Sequence, residues 1–81
     1  MKVLKEVAEN RWDFVLLQTD ECYVLNVLFS YSAVDFYRSF KLTANEQLLD
    51  FEGLKQLSER IRNSYDAYKS QEITPAINTK T

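Results

Sequence analysis

The polar interruptions in the first half of this chain are at most three residues long, and that shortness dictates its topology. Glu9-Asn10-Arg11, Thr19-Asp20-Glu21 and Ser30-Tyr31-Ser32 separate four segments, residues 2–8, 12–18, 22–29 and 33–42, in which aromatic and β-branched residues stand at strand-like density. A parallel crossover needs about a dozen residues or more, so such connections force antiparallel neighbours and a meander. The sequence contains a single glycine, Gly53, and a single proline, Pro75, so the familiar glycine-containing hairpin turns are missing. Asn10 or Asp20 is therefore expected to close its turn, through side-chain bonds to the backbone or a left-handed conformation.

The fourth segment has the clearest period of two. Val34, Phe36, Phe40 and Leu42 share one face, interrupted by Arg38, while Asp35, Tyr37, Ser39 and Lys41 share the other. Beyond Leu42 the period changes. Thr43-Ala44-Asn45-Glu46 fits a capping box, in which each end satisfies an amide of the other, and a helix is expected to start there. Leu54, Leu57, Ile61, Tyr65 and Tyr68 then recur at spacings of three and four, the stripe of an amphipathic helix lying on a sheet. Gly53 either splits this segment or lets it approach the sheet closely. The split is preferred, giving a short helix to about Phe51 and a longer one to about Ser70. The expected fold is α+β: an antiparallel meander of about four strands packed on a C-terminal helix, in one domain spanning residues 1–72. Residues 73–81 read as a flexible tail, with Ile73 as its candidate anchor.

Eighty-one residues with 46% apolar content suffice for one core and not for two. One cysteine, Cys22, allows no internal disulfide and suits a reducing compartment, so a cytoplasmic location is expected. The N-terminal residues alternate charge with apolar side chains, which does not read as a signal peptide, and no apolar run approaches a membrane span. Net charge is −2 with scattered Lys and Arg, so the basic footprint of a nucleic-acid binder is missing and basic partners are favoured.

Histidine is absent, which removes the usual general base, the Ser-His and Cys-His pairs and imidazole-zinc sites. Cys22 reads as a packed strand residue. The carboxylate pairs Asp20-Glu21 and Asp50-Glu52 lack the company that acid-base work or a magnesium or calcium site requires, and one glycine cannot build a phosphate loop. On the helix, Lys55, Arg60, Arg62 and Lys69 are interspersed with Glu59 and Asp66, a solvated mixed surface with pairs such as Arg62 with Asp66. No catalytic residue, cofactor or metal is expected, and the chain does not read as an enzyme.

Strands two and three are apolar on both sides. Trp12, Phe14 and Leu16 oppose Val15 and Leu17, and Tyr23, Leu25, Val27 and Phe29 oppose Cys22, Val24 and Leu28. Four strands spaced roughly 4.8 Å apart exceed the ~10 Å width of a helix, so the helix shields one face. The other face is then a self-association surface, a landing site for another protein, or a patch over which the tail folds.

The order of elements resembles a group of small bacterial proteins. The likeness runs through Val3-Leu4-Lys5-Glu6-Val7-Ala8-Glu9, Trp12-Asp13-Phe14-Val15-Leu16-Leu17, Val24-Leu25-Asn26-Val27-Leu28, Leu42-Thr43-Ala44-Asn45-Glu46 and Glu59-Arg60-Ile61-Arg62-Asn63. Such β-meander-plus-helix proteins are similar in size and layout to immunity proteins of contact-dependent growth inhibition and related toxin systems. The resemblance implies a protein-binding module that occludes a cognate toxin domain, often a basic nuclease. It would engage that partner through Asp13, Asp20, Glu21 and Asp35 as steering charges, with Tyr23, Tyr31 and Tyr37 as anchors. The alternative is a homodimeric scaffold that pairs its uncovered sheet face with itself.

Overall fold

The structure is a computed structural model, and it describes residues 2–77. Among the described residues, five strands follow one another as an antiparallel meander in the spatial order β1-β2-β3-β4-β5: β1 (Val3–Asn10), β2 (Phe14–Thr19), β3 (Tyr23–Tyr31), β4 (Val34–Lys41) and β5 (Glu72–Ile73). Two helices, α1 (Phe51–Asn63) and α2 (Tyr65–Tyr68), lie between β4 and β5, flanked by single 3-10 turns at Glu46–Leu48 and Lys69–Gln71. The four expected strands are present. The fifth is too short to announce itself by periodicity, and it pairs Ile73 with Ser39 and Glu72 with Phe40.

The turns use chemistry other than that expected of Asn10 and Asp20. Among the described residues, the left-handed ones are Trp12 (φ 66°) and Ser32 (φ 58°), one in the β1–β2 turn and one in the β3–β4 turn. Asn10 closes its turn by donating its side-chain amide to Asp13 Oδ2 at 2.8 Å. The β2–β3 turn is closed by Thr19, whose Oγ1 accepts from the Cys22 amide at 2.9 Å, while Asp20 accepts from the Lys2 amide at 2.8 Å.

Strand alternation sends the large side chains to two faces. On face one, Phe14, Leu16, Leu25, Val27, Phe40 and Leu42 meet Leu54, Leu57 and Ile61 of α1, with Tyr65 and Tyr68 packed at the margin. Burying each such side chain contributes about 1.5–3 kcal/mol, so this layer dominates the stability of the domain. Arg38 interrupts the apolar face without becoming a buried orphan. Its guanidinium stacks 4.6 Å from the Tyr65 ring centroid and bonds Glu72 at 3.0 Å, and Tyr65 in turn donates its hydroxyl to Glu72. That bond, with burial adding to it, pushes the Tyr65 hydroxyl pKa up against the opposing charge of Arg38.

The capping box forms as expected: Thr43 N donates to Glu46 Oε1 at 2.8 Å and Glu46 N donates to Thr43 Oγ1 at 3.2 Å. It starts only a 3-10 turn. The helix proper begins at Phe51, where Asp50 Oδ1 accepts from the Gly53 amide at 2.8 Å as a second N-cap. The break thus falls at Leu49-Asp50, just ahead of Gly53. A Cβ at Gly53 would sit 3.0 Å from Leu49 Cδ2, so the glycine admits the preceding turn rather than the sheet. A further interruption at Ser64 separates α1 from α2. Among the described residues, no helix is long and apolar enough to cross a membrane.

Face two carries Val15, Leu17 and Val24, each no more than 4% exposed. They are covered by Val3, Cys22, Tyr37, Ile73 and Ile77. As expected, the helix shields one face only; on the other, Ile73 at the end of β5 and the residues after the cis Thr74–Pro75 bond, placed in the tail on sequence grounds, cover the sheet. Of the three fates open to this face, the one observed is that the tail folds over it. Residues 78–81, the rest of the expected tail, lie outside the described residues.

Candidate functional site

The β1–β2 turn is tied to α1 by several side-chain bonds. Asp13 sits at its end, and its carboxylate is ion-paired with Arg62 of α1 while accepting from Ser58 at 2.9 Å and Asn10 at 2.8 Å. The Arg62 side chain also donates to the main-chain oxygens of Asp13 at 2.6 Å and Leu28 at 2.7 Å. Burial alone would push the Asp13 carboxyl up, but the bonds from Arg62, Ser58 and Asn10, with the Arg62 charge, outweigh it and hold the pKa below the ordinary value. This helix-to-sheet pin fixes both sides of the turn.

Trp12 bears the consequence. A bulky residue at positive φ costs on the order of 1–3 kcal/mol and persists only where the surroundings over-determine it. The reversal also breaks strand alternation, so Trp12 does not join Phe14 and Leu16 on face one as its position in the sequence implies. It is 68% exposed, lying beside Glu9 and Tyr37, with the Arg11 guanidinium 5.5 Å from its ring centroid.

Glu9, Arg11, Trp12 and Tyr37 line an open cleft of about 360 Å³. Burial raises the Tyr37 hydroxyl pKa, and the charges of Glu9, Glu6 and Asp13 push it further the same way. The cleft thus presents two large amphipathic rings beside one carboxylate, Glu9, and one guanidinium, Arg11. A second depression, about 290 Å³, lies among Asp13, Glu52, Lys55, Gln56, Glu59 and Arg62. Its two best-placed charges, Asp13 and Arg62, are already consumed by the pin.

The structure distributes the residues expected to bind a partner rather than gathering them. Asp13 is an internal pin, and Tyr23 packs into face one beside the core cluster. Asp20 and Glu21 are exposed at the β2–β3 turn. Tyr31 and Asp35 are exposed at the opposite end of the sheet, on the β3–β4 hairpin, where Asp35 accepts from Ser30 at 2.6 Å. Tyr37 alone belongs to the cleft. Trp12 is not among the residues expected to contact a partner, because strict alternation assigns it to the apolar face of strand two. The available signal was a tryptophan directly after a polar turn triplet, where no hairpin glycine supplies the positive φ.

Among the described residues, no three side chains of His, Cys, Asp or Glu converge in the manner of a metal site. Cys22 lies half-buried in the β2–β3 turn, its sulfur 3.7 Å from Thr19 Oγ1. Comparison of the chain with protein-family models, with curated proteins and with solved structures returns no match.

Proposed function

We propose that this chain is a non-enzymatic protein-binding module that docks a basic partner through the Trp12–Tyr37 cleft. The observation that carries the reading is Trp12 itself: a large aromatic side chain kept in solvent by a strained turn that a helix-borne ion pair holds in place. Tryptophan and tyrosine supply rigid contact area at low entropic cost, and such residues anchor most protein interfaces. The acidic residues Glu6 and Glu9 favour a cationic partner and would speed its approach at low salt. Asp35 at the hairpin adds a further carboxylate, whereas Asp20 and Glu21 lie at the far end of the sheet. The specific form of this reading is an immunity protein that occludes a basic toxin nuclease domain, supported by size, layout and charge. The homodimeric scaffold drew on the sheet face that residues 73–77 fill, so the cleft carries the better argument.

The test is capture of a stoichiometric partner from native lysate, repeated with Trp12→Gly and Glu9→Lys. Trp12→Gly is expected to weaken binding at least about 30-fold, the scale of a tryptophan hot spot, and Glu9→Lys to slow association. A partner retained equally by both variants, or none captured by the wild type, overturns the proposal.

A further inference from the structure

Face two holds two polar side chains in the middle of apolar strands. Asn26 of β3 and Ser39 of β4 stand directly opposite each other, 3% and 0% exposed. Buried polar groups of this kind require partners. Ser39 Oγ donates to Asn26 Oδ1 at 2.5 Å, Asn26 Nδ2 donates to the Ile77 carbonyl at 2.8 Å, and the Ile77 amide donates to Ser39 Oγ at 2.8 Å. The three bonds close a ring. Both main-chain groups of one residue are thereby read from the surface of the sheet, in the way an adjoining strand would read them at an edge.

We infer that face two is a peptide-binding groove, occupied in cis by residues 73–77, which takes in trans an extended segment of the same chemistry. That chemistry has two parts. The Asn26–Ser39 pair takes one N–H and one C=O of the same residue, which any sequence offers. The apolar floor of Val15, Leu17 and Val24 takes isoleucine-sized side chains, here Ile73 and Ile77, four positions apart. Thr74, Pro75 and Ala76 between them are exposed and contribute span rather than packing. A main-chain clamp combined with pockets for spaced aliphatic residues is the pattern by which extended peptides are recognised. Beyond the two-residue β5 ladder, the resident segment is held by two hydrogen bonds, both at Ile77, and by two half-buried side chains, less than secures α1, so it opens more readily than that helix. This inference does not depend on the Trp12 cleft, although Tyr37 touches both sites.

The decisive experiment uses the full chain carrying Ile77→Asp, in which a carboxylate cannot occupy the apolar floor, and a labelled peptide of residues 71–77 with blocked ends. Fluorescence anisotropy should show saturable binding at least about tenfold tighter to the variant than to wild type, whose groove is filled. Adding Ser39→Ala to the variant should abolish that binding. A folded Ile77→Asp chain that ignores the peptide, or one that binds it no better than wild type, overturns the inference. Should the variant fail to fold, amide exchange on the wild type decides: the Ile77 amide must exchange by local opening, at least about 100-fold faster than the core amides of β3. Protection equal to theirs overturns it as well.

Discussion

The two faces of this sheet are comparably apolar in their central strands and are closed by unlike means. Face one is sealed by a thirteen-residue amphipathic helix, which brings Leu54, Leu57 and Ile61 into a continuous layer with Phe14, Leu25 and Phe40. Face two is sealed by one short C-terminal segment, secured by Ile73, Ile77 and the Asn26–Ser39 clamp. The contrast teaches that a strand's burial does not reveal how firmly it is covered. Leu17 and Leu25 are both fully buried, yet one lies beneath a helix and the other face depends on a strap of a few residues.

The sharpest break of that comparison is truncation on the helix side. Leu57→Ala should lose about 2–5 kcal/mol, the range for a leucine in a closed core, read from urea denaturation. Ile77→Ala on the other face should lose less, about 1–2 kcal/mol, because the side chain keeps partial contact with water in the native state. Equal losses would show that the strap closes its face as firmly as the helix does.

Asp13 sharpens the comparison from the side of electrostatics, because its ion pair joins α1 to the sheet on face one, whereas the strap's bonds at Ile77 are made by uncharged groups. Its carboxyl pKa is lower folded than unfolded, so it contributes stability above the unfolded value of about 4, and that contribution is lost as pH falls through the folded value. Wild type should therefore weaken over that acid window more steeply than Asp13→Asn, while the strap's hydrogen bonds, made by uncharged groups, stay unaffected. Parallel acid profiles in thermal melts would refute the pin.

The smallest effect is expected at Trp12, which belongs to neither face. Trp12→Gly removes a bulky residue from positive φ and should change stability by no more than about 0.5 kcal/mol or raise it by up to about 1 kcal/mol, measured by calorimetry. A larger loss would mean that Trp12 packs as part of the fold rather than standing ready for a partner.

Much of the architecture was legible because it follows from local periodicity. Four strands, their antiparallel order and the apolar stripe of α1 are consequences of where Leu, Val and Phe recur, and the Thr43–Glu46 capping box depends on residues three positions apart. What the capping box could not reveal is that only a 3-10 turn follows it, since the competing cap at Asp50 is satisfied through the Gly53 amide and starts the longer helix there. Of the candidate cleft, Tyr37 was among the anchors that the resemblance implied, whereas Asp13, expected as a partner contact, pairs with Arg62 forty-nine positions away.

The sequence by itself determined which residues alternate, which recur at helical spacing and which chemistries are missing, because these are short-range properties of the chain. Only the tertiary structure decided the fate of the second face, the left-handed turn at Trp12 and the use of Asn26 and Ser39. Each depends on groups far apart in the chain meeting in space: Asn26 and Ile77 are separated by fifty-one positions, and no local pattern encodes the bond between them. A buried asparagine in an apolar strand announces that it needs a partner, and folding selects which one.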